Sequence, residues 1–546
     1  MKSEKKLFKV LKQPVFQIGL IFFLTLIIYS SSFIIPFIWD DEVQILGNKF
    51  VTEGGFLKDI FTTSVMAGGN GPGGNSFYRP LVILLYRFEY IFFGSDPTGF
   101  HIISLVFHFI NIAFVYFLAR KIACRHFPIL PSGLCAFLAS FLFAFHPANA
   151  EAISWLASQG DLMATSFALG ALLFLFLWTE DNFGNWKFLA GAQILFFLTL
   201  FTKESFFVFP LTFLVYLFYF FRKSISSIYK FIEVFFIPAI IYVFFRFLIA
   251  KIYFGSTLSL MAKASLPERF LTAITSLADY LKIIIFPVPL FTDRQFVIKG
   301  LTDYRFIISV SVLILLAVVF LWLHKKASPV ISFLGFWFLI GIFPVLNVVF
   351  ITGQAMAERY LYFPAIGIFI LSALGLVFLI KETPSFLKAV VALFLIIIFC
   401  FFGRTVMARN ELWQKPLDFY QHDANLSPES FLLQNNLGVE LFRQGRYEEA
   451  GKAFAKAIEI EPKYGVSHNN LGAIFQRRGE AEEAILEYKK AIELSGYYLA
   501  YINLSDIYIG EERYGEAISL LEQAAKIFPY DSAIFSRLEF FRQKQK

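Results

Sequence analysis

The chain has 546 residues, of which 57% are hydrophobic and 16% charged, and its mean hydropathy is +0.64. A soluble domain averages roughly 45–50% apolar by a wider count that includes Gly, so this composition excludes a purely soluble protein and calls for many membrane spans. The formal charge of +7 resides in Lys and Arg beside hydrophobic runs, as membrane topology requires, and is not a nucleic-acid footprint. Cys124, Cys135 and Cys400 show neither zinc spacing nor a disulfide framework.

Lys2, Lys5, Lys6, Lys9 and Lys12 place the N-terminus on the cytoplasmic side. The apolar run 15–38 that follows is about 24 residues, or roughly 36 Å as helix, enough to cross a bilayer. It ends in Pro36 and Trp39 rather than in a small-residue cleavage site, so it reads as a retained first span. WDDEVQIL then brings Asp40, Asp41 and Glu42 out at a membrane face. Adjacent carboxylates there can hold a divalent cation (Mg or Mn), accept a proton from an attacking hydroxyl, or simply cap the lipid boundary.

Residues 39–99 read as one external loop. Its Gly-rich patch, AGGNGPGGN at 67–75, does not follow a strand and is a weak phosphate-loop candidate. The apolar segment 78–94 carries Arg79, Arg87 and Glu89 and suits the membrane interface better than a crossing. Further spans are expected at 100–122, 133–145, 153–178, 186–201, 206–221, 232–252, 305–323, 330–350, 360–380 and 387–402. Arg120, Lys121, Arg125, Arg222, Lys223, Lys230, Lys325, Lys326, Lys381 and Lys388 fall on the inner side of this arrangement. Segment 266–290, with Asp279, Lys282, Pro287 and Pro289, reads as interfacial or re-entrant on the outside. About eleven spans leave the N-terminus inside and the C-terminus outside.

Beyond Met407 the chain turns polar and repeats itself. Leu437, Leu471 and Leu504 correspond, as do Ala450, Ala484 and Ala517, and Ala457, Ala491 and Ala524. Each unit reads as two helices, and the pattern resembles the tetratricopeptide repeat. Pro462 and Pro529 stop second helices, and a capping helix follows the third repeat. Asn436, Asn470 and Asn503 recur at one position and are candidates for lining a groove that binds a protein or peptide, although Asn is also ordinary there. The expected division is a membrane domain (1–408), a linker (409–426) and a repeat domain (427–546), all of it α-helical.

With topology assigned from Lys and Arg alone, the remaining ionisable residues of the apolar part share the outer face. Asp40, Asp41, Glu42, Tyr78, Arg79, His101, His146, Glu151, Lys203, Glu204, Glu358 and Arg359 lie in or next to external loops, and Asp161 lies in the outer half of a span. Charges at membrane depth usually face a cavity or each other. Acids together with Arg and Lys suit a phosphate-bearing substrate beside a hydroxyl acceptor.

WDDEVQIL, YRPL at 78–81, GFH at 99–101, FHPANAEAISWLASQGDL at 145–162, TKES at 202–205 and AERYLYFP at 357–364 resemble the transmembrane and tetratricopeptide-repeat O-mannosyltransferase family and its bacterial relatives, in the same order. The resemblance implies a C-type glycosyltransferase (GT-C) bundle and a polyprenyl-phosphate sugar donor. It also implies a hydroxyl acceptor on a protein or envelope glycan, with Asp40 or Asp41 as the catalytic carboxylate. Arg79, His146, Lys203, Glu358 and Arg359 would be donor-site residues. A bacterial inner-membrane enzyme with periplasmic or extracellular repeats is expected. Competing readings are a transporter or flippase, against which no inverted repeat is evident, and a scaffold that only displays the repeats.

Overall fold

The computed structural model describes residues 13–68, 77–221, 225–253, 258–326, 328–528 and 531–545. The N-terminal lysines, most of the Gly-rich patch, Arg222, Lys223 and Pro529 lie outside the described residues, as do the side chains of Lys325 and Lys326.

The membrane part is a bundle of apolar helices. In chain order they are α1 (Pro14–Tyr29), α2 (Pro80–Phe93), α3 (Pro97–His126), α4 (Ser132–Phe145), α5 (Ala150–Ser154), α6 (Gln159–Glu180), α7 (Trp186–Thr202), α8 (Phe209–Phe220), α9 (Ile225–Phe244), α10 (Leu266–Ile285), α11 (Tyr304–Lys326), α12 (Pro329–Ile342), α13 (Ala365–Glu382) and α14 (Ser385–Trp413). Seven of the described helices are long and apolar enough to cross a membrane, and α4 continues through a 55° bend into α5 as an eighth candidate. Three shorter apolar helices, α7, α8 with the turn before it, and α12, complete the eleven expected positions. The chain is a multi-pass membrane protein.

Helix α6 is the hub. Its span is 78% buried, whereas that of α11 is 6% buried. The difference follows from side-chain size: Gly160, Ala164, Ala168 and Ala171 on α6 let neighbouring helices approach closely. Helix α11 presents Ile307, Ile314, Leu315, Val318 and Leu321 outward, as a lipid-facing helix does. Helices α12 and α13 meet closely at Gly367, where a Cβ would lie 2.6 Å from the Leu334 carbonyl oxygen. Segment 266–290 forms α10, opened by a capping box in which Ser265 and Glu268 satisfy each other. Glu268, Arg269, Asp279 and Lys282 keep it out of the set of apolar spans.

The last membrane helix does not stop where the hydropathy falls. Helix α14 runs on to Trp413 and is followed by α15 (Pro416–Leu426), so the expected linker is helical. Three antiparallel pairs follow: α16 (Phe431–Arg443) with α17 (Tyr447–Ile460), α18 (Gly465–Arg478) with α19 (Ala481–Ser495), and α20 (Tyr498–Gly510) with α21 (Tyr514–Ile527), then α22 (Ser532–Gln545). Ala450, Ala484 and Ala517 are fully buried. At the facing position a Cβ on Gly438 would lie 2.5 Å from the Phe454 ring. These small residues are what lets the two helices of a repeat close on each other.

The repeats are packed onto the membrane domain. Ile35, Ile38 and Trp155 form one buried cluster with Trp413, Phe419, Tyr420, Ala424 and Leu433. Trp39 has φ +57°, a left-handed conformation that costs a non-Gly residue roughly 1–2 kcal/mol. Its ring stands 5.7 Å from Trp155 and 6.2 Å from Tyr420, so the turn at the exit of α1 is fastened by the first element of the soluble part.

Candidate active site

Three ion pairs and one unpaired carboxylate converge where α1 exits, where α4 bends, and where α7 and α12 end. Arg79 holds Glu204 in a two-pronged bond at 3.1 and 2.5 Å. Lys203 bonds Asp161. Arg359 bonds Glu151 twice, through its guanidinium and, at 2.9 Å, through its backbone N–H. The guanidinium also stacks 4.8 Å from both the Trp155 and Tyr360 ring centres. Arg79 precedes α2, Lys203 follows α7 and Arg359 lies in the turn before α13, so each charge comes from an element terminus.

Asp40 and Asp41 are neighbours with opposite fates. Asp41 is 1% exposed and accepts backbone N–H bonds from Ile38 at 3.2 Å and Ala157 at 2.7 Å. It ties the α1 exit to the start of α6. Asp40 has no hydrogen-bond or ion-pair partner among the described residues, and it lies in the field of Arg359 and Arg79. Burial raises its pKa above the ordinary carboxylate value against the pull of those two arginines. Burial raises that of Asp41 further still, although two backbone donors oppose it.

A narrow cleft opens beside the pairs. Asp161, Lys203, Arg359 and Tyr360 line its polar end, and Phe206, Phe209, Val345 and Phe363 line its apolar wall. The ammonium of Lys203 has three donors and one carboxylate partner, and burial holds its pKa below the usual lysine value. A phosphate at this end would meet two cations, and an alkyl chain on it would lie along the apolar wall.

The remaining expected site residues are held elsewhere. Glu42 turns away to Arg443 of the first repeat, at 2.8 and 2.9 Å. The Tyr78 hydroxyl donates to the Phe61 carbonyl at 2.8 Å. His101 Nε2 lies 3.0 Å from the Ile35 carbonyl, and His146 Nε2 lies 2.9 Å from that of Ile284. These four fasten loops to helices. Glu358 faces inward, to Arg294 at 2.7 Å and the Phe291 N–H at 2.8 Å. Asn436, Asn470 and Asn503 are half-buried in a ladder, Asn470 donating to Asn435 and Asn503 to Asn469, each at 3.0 Å.

The residues do not fit a divalent cation, one of the roles open to the acidic stretch. Asp41 spends an oxygen on each backbone donor, Asp40 faces two guanidinium groups that would repel a metal ion, and no group of three potential ligands exists among the described residues. Sequence reading passed over Arg294, Tyr360, Trp155 and the segment 291–295. The signal available was TDRQ at 292–295, an Asp and an Arg in an otherwise apolar stretch.

A multi-pass helical membrane protein with a docked repeat domain and a cleft lined by paired charges is thus defined. The tetratricopeptide-repeat family matches residues 429–496 and 498–531. A protein O-mannosyl-transferase of Caenorhabditis elegans is 24% identical over 455 residues, covering 81% of this chain and 62% of that protein. Protein O-mannosyl-transferase Tmtc3 of Drosophila melanogaster is 23% identical over 517 residues, covering 80% of this chain and 54% of its own length. The chain therefore spans little more than half the length of the curated relatives it matches along most of its sequence. The resemblance read from the motifs is borne out: along most of its length the chain is similar to proteins named protein O-mannosyl-transferases, and its C-terminal part to the tetratricopeptide repeat. A crystal structure of ArnT from Cupriavidus metallidurans bound to undecaprenyl phosphate overlaps 94% of this chain and 81% of its own, at 13% identity and a TM-score of 0.39, too distant to bear on the site.

Proposed function

We propose that this protein is a membrane glycosyltransferase of the C type, which moves a sugar from a polyprenyl-phosphate carrier to a hydroxyl on a protein or envelope glycan. The transfer takes place at the non-cytoplasmic face of a bacterial inner membrane. The observation that carries the reading is Asp40: a half-buried carboxylate without a partner among the described residues, lying in the field of Arg79 and of Arg359, the second of which lines a cleft that is polar at one end and apolar along its wall.

In this reading the lipid phosphate lies against Lys203 and Arg359, with Arg79 supplying further positive field. The polyprenyl chain follows Phe206, Phe209 and Phe363 toward lipid. Asp40 takes the proton of the acceptor hydroxyl as its oxygen attacks the anomeric carbon from the side opposite the phosphate. The bond from that carbon to the phosphate oxygen breaks, its electron pair stays on the phosphate, and the cations stabilise the growing charge. The sugar is inverted. The ion pairs with Glu204, Asp161 and Glu151 fix the cations before substrate arrives, so little reorganisation is needed at the moment of reaction. The names of the relatives point to mannose as the sugar.

The test is transfer from polyprenyl-phosphate mannose to envelope acceptors by purified protein, with Asp40→Asn as the comparison. Wild-type transfer that this single substitution abolishes, with donor binding intact, supports the assignment. Wild-type transfer left untouched by Asp40→Asn removes it.

A further inference from the structure

Residues 291–295 form an irregular strap between α10 and α11 that bonds on two sides. Toward the soluble part, Thr292 donates to Asp423 through its N–H at 2.8 Å and its hydroxyl at 3.0 Å. Asp293 accepts from the Ser430 hydroxyl. Both partners are fixed in turn. Arg409 grips Asp423 with two bonds of 2.7 Å. Ser430 is the N-cap of α16 and accepts from the Leu433 N–H at 3.1 Å.

Toward the cleft, Phe291, Arg294 and Gln295 of the same strap hold the turn that carries Arg359. Phe291 donates its N–H to Glu358 at 2.8 Å, and Arg294 donates to the same carboxylate oxygen at 2.7 Å. The Arg294 guanidinium is stacked 3.8 Å from the centre of the Phe291 ring. The Ala355 N–H reaches the Arg294 carbonyl at 3.1 Å, and Gln295 donates both to Asp293 at 3.0 Å and to the Gly353 carbonyl at 2.9 Å. Glu358 is the immediate neighbour of Arg359, and Gln354 accepts from the Arg359 guanidinium at 3.0 Å. The side chains of Thr292, Asp293, Glu358, Asp423 and Ser430 are buried, where water cannot substitute for a lost partner.

We infer that this strap couples the seating of the first repeat to the position of Arg359, so that Asp293 and Arg294 are positioning residues of the cleft and the repeat domain is part of the site's architecture. The path is short: Ser430 to Asp293, along one residue of chain to Arg294, then Glu358, then Arg359. A repeat domain that served only to recruit a partner would need no such contact. That Arg359 meets a lipid phosphate rests on the reading above; the strap linkage does not.

The experiment uses the full chain in detergent. Ser430→Asp keeps the cap of α16 but sets a like charge against Asp293, and Thr292→Val removes the hydroxyl bond to Asp423. Asp293→Asn added to Ser430→Asp restores a compatible pair. Lys263→Gln is the control, since Lys263 bridges to Glu461 of the repeats at 2.5 Å without touching the strap. Amide hydrogen exchange is read over 354–362, and undecaprenyl phosphate binding is measured alongside. The expected result is faster exchange there in Ser430→Asp and Thr292→Val, rescue in the double variant, no change in Lys263→Gln, and about three- to tenfold weaker undecaprenyl phosphate binding in the strap variants. Unchanged exchange in both strap variants overturns the inference, as does equal acceleration in Lys263→Gln. A wild-type protein that fails to bind undecaprenyl phosphate overturns the donor reading, while the exchange data still decide the strap.

Discussion

At the scale of single residues, the two adjacent aspartates separate cleanly into different roles. Asp41 is saturated by the Ile38 and Ala157 N–H groups, whereas Asp40 keeps its lone pairs. The sequence slightly favours Asp41 as base for its greater distance past the span; the proposed mechanism gives that role to Asp40, because two backbone donors occupy Asp41. Asp40→Asn is expected to give a well-folded, donor-binding protein whose transfer rate falls ~10²–10⁴-fold, the usual cost of losing a general base. Asp41→Asn keeps one acceptor and replaces the other with an NH₂ facing a backbone donor. Its signature is a lower melting temperature, corresponding to about 1–3 kcal/mol, and a comparison of thermal melts and rates for the two variants separates them. Arg359→Lys keeps the charge but loses the fork that spans Glu151 and Gln354. Donor affinity should fall about tenfold with the acceptor KM unchanged, which titration of each substrate in turn would check.

At the scale of elements, the decisive pieces are the breaks between helices. The 55° bend between α4 and α5 delivers Glu151, the end of α7 delivers Lys203, and the strap after α10 delivers Arg294. The strap carries a titrating group as well. Burial raises the Asp293 pKa to about 6, against the bonds from Ser430 and Gln295. Its folded value thus exceeds the ~3.9 of an unfolded Asp, so the folded protein binds the proton more tightly. The stabilisation is complete below the unfolded value and is lost as pH rises toward about 6. Asp293→Asn should therefore gain in melting temperature over wild type as pH rises from 4 to 6, and the gap should level off above that. A gap independent of pH would mean that Asp293 is already charged across the range. Asp423 behaves oppositely: burial acts to raise its pKa, but the Arg409 guanidinium holds it well below the usual carboxylate range. It stays charged and supports the contact across the same window.

At the scale of the whole molecule, the repeat domain and the membrane domain share a core. Deleting 427–546 would strip Leu433 from the cluster around Trp155 and Trp413 and leave Asp293 without Ser430. The truncated membrane domain should be less thermostable and bind polyprenyl phosphate more weakly, as melting and binding measurements on the two forms would reveal. The same packing ties topology to function, because the repeats must lie on the membrane face that carries Asp40. A phosphatase reporter fused after Lys546 is expected to be active and a cytoplasmic reporter silent. The reverse pattern would put the cleft on the cytoplasmic side and remove the proposed use of an externally presented donor.

Much of the architecture is legible in the sequence, because the signals that specify it are local. Runs of apolar residues mark the spans, since each must satisfy its own backbone within lipid. Repeated Leu and Ala positions mark the helical pairs, since each repeat buries the same face against its neighbour. The motif residues Asp40, Arg79, Glu151, Asp161, Lys203, Glu204 and Arg359 stand out because charge at a lipid boundary needs a reason. Only the tertiary structure decided which of these residues meet. Arg79 finds Glu204 across 125 positions and Arg359 finds Glu151 across 208, while Glu42 leaves the cleft for Arg443 across 401. Such pairings follow from how helices pack and where spans break, and a charged side chain carries no mark of its distant partner.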